Sequence, residues 1–107
     1  MPTIKKIKET DIQRAVCDYL ALKKYFFWRQ NNNPIYSQGR MFAMPKYSMH
    51  GVPDIILIKD GFFIGLEIKI PKGKQSQHQK EFQKKCKENG AEYYVITSVD
   101  QLKEIGL

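Results

Sequence analysis

Three ionisable residues interrupt apolar text in the middle of this chain. In GVPDIILIKDGFFIGLEIKIPKG, residues 51–73, Asp54, Glu67 and Lys69 stand among the Ile, Leu, Phe and Val of two would-be buried strands. Asp60-Gly61, between the two runs, is a two-residue hairpin signal. With Lys59 facing Phe62 across that turn, Asp54 comes opposite Glu67 on the same face, Cβ atoms about 4.5–5.5 Å apart. Lys69 follows on that face about 6.6 Å further along, and Ile64, Leu66, Ile68 and Ile70 point the other way. Facing like charges destabilise a sheet, and burial penalises them further. A proton on one carboxylate, a bridge from Lys69, or a divalent cation between the two would relieve this. Hard oxygen ligands suit Mg²⁺ or Mn²⁺, and Mg²⁺ takes one or two protein carboxylates and completes its shell with water and phosphate oxygens. Lys69 would then stabilise charge developing on a scissile phosphate or help activate an attacking water. The plainer alternative is a Glu67–Lys69 salt bridge on a solvated sheet face, with Asp54 in a turn after Pro53.

The surrounding pattern supplies elements to position these groups. Helical spacing of Ile12, Ala15, Val16, Tyr19, Leu20 and Leu22 predicts a helix over 10–24. Thr10-Asp11-Ile12-Gln13 reads as its capping box, which puts Glu9 at the helix entrance. Phe26–Arg29 reads as an aromatic strand with Trp28 in the core. Residues 31–51 are irregular, or a loose hairpin around Gln38-Gly39, and a loop that long in a small domain is functional or mobile. Strands are expected over 55–59 and 62–70, with Pro71 ending the second. A helix follows over 76–89, with Ser76-Gln77-His78-Gln79 as capping box and Gly90 just past its end. A strand over 93–97 and a short helix opening at Ser98 complete the chain. The order α-β-loop-β-β-α-β-α predicts a mixed α/β domain, a single one over the 107 residues.

Composition narrows the partners. Lys and Arg number 18 against 11 Asp and Glu, a net charge of +7, and the isoelectric point is near 9.4. Such an excess on so small a domain favours a polyanion such as DNA or RNA, although it also fits a soluble basic surface with no particular partner. Cys17 and Cys86 form no CxxC pair and read as two buried free thiols. No apolar stretch has the length of a signal-peptide core or a membrane span. The expected location is the cytoplasm, that of a bacterium or of a host cell if the gene is carried by a phage.

Pro53-Asp54 followed by Glu67-Ile68-Lys69 matches the PD-(D/E)xK signature of metal-dependent nucleases. Around it, Gly51-Val52-Pro53-Asp54-Ile55-Ile56-Leu57, Leu66-Glu67-Ile68-Lys69-Ile70-Pro71 and the Ser-x-x-Gln at Ser76–Gln79 resemble the VRR-NUC branch of that superfamily. Upstream, Glu9-x-x-Ile12-Gln13 and Phe27-Trp28-Arg29-Gln30-Asn31 are similar to that family's first helix and strand, so the likeness spans about residues 9 to 99. The resemblance implies a restriction-endonuclease-like core, a central mixed β-sheet flanked by helices, that hydrolyses phosphodiester bonds in DNA. It implies Asp54, Glu67 and the backbone carbonyl of Ile68 as ligands of Mg²⁺ or Mn²⁺ (one ion or two) and Lys69 as the catalytic lysine. Glu9 resembles the helix-borne acid that holds a metal-bound water or a second cation. Gln79 resembles the glutamine that enters the site from the following helix. Stand-alone members of this size resemble structure-specific endonucleases that pair into homodimers to cut branched DNA such as Holliday junctions or flaps.

Two of these residues have competing local roles. An acid at position 9 also suits a helix dipole, and Gln79 also suits the third position of a capping box. Lys72 and Lys74, just beyond Lys69, and Arg40 and Lys46 in the long loop lie where a phosphate backbone could pass. Arg29 and Asn31 are candidates to line the site from the neighbouring strand, and His50, four residues before Asp54, is a candidate substrate contact. Tyr36, Phe42 and Tyr47 are aromatic residues on which splayed bases could stack. No separate recognition helix stands out, which favours selection by DNA structure over sequence. The competing functions are a basic nucleic-acid-binding module that does not cut, and a sequence-specific restriction-type nuclease subunit.

Overall fold

The computed structural model describes residues 6–30, 35–37, 40–42 and 46–107, with those at 35–37 and 40–42 described by backbone alone. Helix α1 (Glu9–Leu22) buries Ile12, Val16 and Leu20, one per turn. It begins earlier than its pattern predicts. Lys8 is the N-cap and has no side-chain cap bond, so the expected box at Thr10 does not form because Thr10 already lies in the first turn. Glu9 and Asp11 sit in that turn, where the helix dipole favours acids.

Strands β1 (Phe26–Arg29), β2 (Ile35–Ser37), β3 (Arg40–Phe42), β4 (Ile55–Lys59) and β5 (Phe62–Ile68) follow, then helix α2 (Gln77–Glu88), strand β6 (Glu92–Ile96) and helix α3 (Val99–Glu104). Four strands form one mixed sheet in the order β1-β4-β5-β6, and β2 and β3 pair separately with Ser37 opposite Arg40. β4 runs antiparallel to both its neighbours, β1 and β5, and β6 runs parallel to β5. The class is therefore α/β, a four-stranded mixed sheet with three helices. The Asp60-Gly61 turn sets the β4–β5 register as expected, Lys59 against Phe62 and Ile55 against Leu66. Asp60 and Gly61 both have positive φ, the backbone that a tight primed turn requires.

The alternation of side chains gives the sheet two different faces. Ile55, Leu57, Ile64, Leu66, Ile68 and Ile96 join Ile12, Val16, Leu20 and Leu102 in one core, so α1 and α3 cover that face. Tyr19 and Tyr25 donate hydroxyl bonds of 3.0 and 3.2 Å to the Leu107 carbonyl, fastening the last residues over the same core. Helix α2 lies on the other face, where Phe82 packs its ring 6.0 Å from that of Tyr93. Glu67 belongs to this second face.

Three local expectations change. β5 ends at Ile68 instead of Ile70, because the chain turns at Pro71 and Gly73 N–H donates to the Ile70 carbonyl at 2.9 Å. Trp28 is not in the core. It lies on the edge strand, is 39 % exposed, and donates its indole N–H to Gln30 Oε1 at 3.0 Å. Cys17 is only half-buried, whereas Cys86 is buried, and both are free thiols.

Candidate functional site

The β4–β5 register, carried one residue past Ile55–Leu66, sets Asp54 across from Glu67. Asp54 lies just before β4, where its side chain takes over the ladder. Its Oδ2 accepts from the Ile68 backbone N–H at 2.7 Å. Its carbonyl accepts from Gln30 N–H at 2.7 Å, tying it to the end of β1. In an extended strand the N–H and C=O of one residue face the same neighbour, so the Ile68 carbonyl also points toward the Asp54 side. Lys69 N–H donates the other way, to the Ile96 carbonyl at 3.0 Å, which holds the lysine's backbone to β6.

Two close approaches fix the segment before Asp54. A Cβ on Gly65 would stand 2.6 Å from Pro53 Cγ, so Pro53 rests on the sheet where Gly65 leaves room. Gly51, with φ of 79°, lies so close to the start of α2 that a Cβ would collide with the His78 carbonyl. The strand with Glu67, the loop with Asp54 and the N-terminus of α2 are thus packed as one body.

Glu67 is fully buried. Its Oε1 accepts the Tyr93 hydroxyl at 2.5 Å, and its Oε2 is buried with no hydrogen-bond partner among the described residues. Burial pushes the carboxyl above the ordinary range, opposed by the Tyr93 hydrogen bond and the charge of Lys69, and reinforced by the charges of Asp54 and Glu9. The Tyr93 hydroxyl is itself pushed up, by burial first and then by its bond to Glu67. Four of the expected site residues, Glu9, Asp54, Glu67 and Lys69, therefore share one electrostatic neighbourhood. The solvated Glu67–Lys69 salt bridge does not occur: Glu67 is sealed from water, and among the described residues only Lys103 and Asp100 form an ion pair within 4.0 Å.

Neither a family model, nor a curated protein, nor a solved structure matches this chain. The case for a function rests on the residues themselves.

The remaining expected residues are less gathered. Gln79 forms the capping box with Ser76, its Oε1 accepting from Ser76 N–H at 2.7 Å and its own N–H donating to Ser76 Oγ at 3.2 Å. Of its two local roles, the cap is the one the structure displays. Glu9 is exposed in the first turn of α1. Lys72 and Lys74 are exposed in the turn after Lys69. His50 is exposed and stacks on His78 with ring centroids 4.8 Å apart. Lys46 is exposed and holds its ammonium 5.1 Å over the Tyr47 ring. Arg29 is exposed at the end of β1, next to the residue that bonds Asp54. Asn31 lies outside the described residues, as do the side chains of Arg40, Tyr36 and Phe42.

Asp54, Glu67 and the Ile68 carbonyl could together present oxygen ligands to a cation. Among the described residues no group of three or more His, Cys, Asp or Glu is gathered as a cage. A hard cation that keeps water and substrate oxygens does not need one. The unpartnered Glu67 Oε2 fits such an ion, since a buried carboxylate oxygen otherwise carries its full desolvation penalty. Sequence reasoning did not find Tyr93 as the donor to Glu67. The only signal available was a tyrosine on a strand expected to be buried.

Proposed function

We propose that this protein is a Mg²⁺- or Mn²⁺-dependent endodeoxyribonuclease built on the PD-(D/E)xK core, of the VRR-NUC type. One observation carries the reading: a sealed carboxylate, Glu67, faces Asp54 with one oxygen unpartnered and a lysine beside it. A module that only bound nucleic acid would gain nothing from an anionic pair in a domain of charge +7. Asp54 and Glu67, with the Ile68 carbonyl, would hold the cation. When bound, the ion would polarise the scissile phosphate and lower the pKa of a bound water. Lys69 supplies a fixed positive charge for the developing charge on that phosphate. Tyr93 keeps Glu67 in one orientation by hydrogen bonding to Oε1, leaving Oε2 for the metal. Glu9 adds a carboxylate at the α1 entrance that can orient water or hold a second ion. Lys72, Lys74, Lys46, Arg29 and His50 would contact the DNA, and Asn31 and Arg40 belong to the same proposal. Selection of branched DNA and assembly as a homodimer are what the resemblance implies, and a cytoplasmic location is part of the same proposal.

The test is cleavage of end-labelled four-way junction, flap, single-stranded and plain duplex DNA in Mg²⁺, Mn²⁺ or EDTA. Metal-dependent cutting of branched DNA is expected, lost in Lys69→Ala while DNA binding persists. Binding without cutting in either metal refutes catalysis and favours the binding module. Cutting of plain duplex at one sequence favours a restriction-type subunit.

A further inference from the structure

Between α1 and the edge strand β1 runs a groove of about 370 Å³ lined by Thr10, Gln13, Arg14, Cys17, Asp18 and Arg29. The α1 residues recur at helical spacing and form one stripe. Arg29 on β1 closes the groove from the other side, its Nη2 donating to Gln13 Oε1 at 3.4 Å, a weak bond. No carboxylate lies within 4.0 Å of either guanidinium among the described residues. Both walls lead to the carboxylate pair. On α1, Thr10 follows Glu9, whose charge is felt at Glu67. On β1, Arg29 pairs with Ile55 and is followed by Gln30, which bonds the Asp54 carbonyl.

We propose that this groove holds the sugar–phosphate segment of a nucleic-acid strand next to the scissile phosphate, with Arg14 and Arg29 each taking a backbone phosphate. The proposal deepens the nuclease reading and rests on it. It assigns Arg14, on the outer face of α1, a role that its sequence context does not signal. The groove is of a size that takes nucleotide-scale ligands. Paired guanidinium groups suit phosphate oxygens better than ammonium groups do, because their planar donors can bind two oxygens at once. Asp18 opposes an anion at the far end and should limit how tightly the strand is held.

Cys17 is a built-in reporter, because it lines the groove while packing partly buried against the core. Cys86, the buried residue of α2, is an internal reference. Burial raises the Cys17 thiol's pKa, Arg29 lowers it and Asp18 raises it, so alkylation is best followed at alkaline pH. The experiment measures iodoacetamide modification of each cysteine by peptide mass, in EDTA, with and without a saturating four-way junction whose binding is read by anisotropy. Protection of Cys17 by about tenfold or more is expected, with Cys86 unchanged. Arg14→Ala should weaken binding severalfold in EDTA, reduce the slope of log affinity against log salt by about 1, and lessen the protection. Asp18→Asn should tighten binding. Equal Cys17 rates with and without bound DNA, or an unchanged affinity and salt slope in Arg14→Ala, would overturn the groove assignment. Failure of DNA to bind at all would overturn it too. Because EDTA prevents cutting, the two readings separate. Cleavage in metal without Cys17 protection leaves the nuclease and removes the groove. Protection without cleavage in metal leaves the groove and removes the nuclease.

Discussion

Replacing Tyr93 by Phe removes a single oxygen, and the structure says what that oxygen does. It donates the one side-chain hydrogen bond that Glu67 receives among the described residues, at 2.5 Å, to a carboxyl with no exposure. With Oε2 already unpartnered, the variant would leave both oxygens buried and bare. A hydrogen bond to a charged group contributes about 1.5–3 kcal/mol, and about 1.4 kcal/mol is a factor of ten in affinity. Mn²⁺ binding should therefore weaken by about ten- to a hundredfold, the range expected for losing a residue that orients a metal ligand. The direction with pH is also set. The Tyr93 bond opposes the burial that raises the Glu67 carboxyl, so its loss raises that pKa further. The acid limb of Mn²⁺ binding should move to higher pH. Calorimetric titration with Mn²⁺ over a pH series, without DNA, reads both effects. A folded Tyr93→Phe protein that binds Mn²⁺ with wild-type affinity and the same pH profile would refute the assignment of Tyr93 to Glu67 orientation.

Other substitutions test other parts of the geometry. A carboxyl raised by folding contributes stability that is present below its unfolded pKa and lost as pH rises through its folded one; Glu67 is such a group. Urea unfolding in EDTA should therefore show stability falling from acid toward neutral pH, and Glu67→Gln should flatten that slope while abolishing Mn²⁺ binding. Identical slopes would refute the buried charge. Gly65→Ala brings a Cβ to 2.6 Å from Pro53 Cγ. It should lower stability by about 1–3 kcal/mol and reduce Mn²⁺ affinity by shifting Asp54, and a neutral result would show that Pro53 moves freely. Ser76→Ala removes the oxygen that accepts from Gln79 N–H and should lower stability by about 1 kcal/mol, as read by the urea midpoint. A midpoint equal to wild type would show that the cap contributes nothing.

The parts of the site legible in the sequence are those fixed by local chemistry. Asp60-Gly61 dictates a turn, the turn dictates the register, and the register places Asp54 opposite Glu67. Tyr93 was not legible as a partner because the parallel β5–β6 register is set by no short turn. The crossover through α2 leaves the relative sliding of the two strands open until the core packs. Two Ser/Thr-x-x-Gln signatures had different outcomes. At Ser76 the box forms, while at Thr10 the helix starts upstream because Glu9 and Asp11 both suit its first turn. Trp28 was misplaced because aromatic content marks a strand without saying whether it is central or at an edge. The groove beside Arg29 joins helix to strand, and Arg14 within it looks in sequence like any solvated helix residue.

The two contacts that fix the carboxylate pair, one at Asp54 and one at Glu67, differ in reach along the chain. Asp54 is tied to β5 by a bond spanning 14 residues, whereas the Tyr93 contact spans 26 and needs the crossover helix. Closing short loops is faster than closing long ones, and non-local strand pairings form late. The β4–β5 hairpin can thus close before β6 docks, with its two carboxylates facing each other and no tyrosine donor in place. During that interval the repulsion works against the hairpin's own closure. Protons, and any cation the pair could hold, would then speed folding, and two carboxylates set face to face would act as a brake on the kinetics by which the chain assembles.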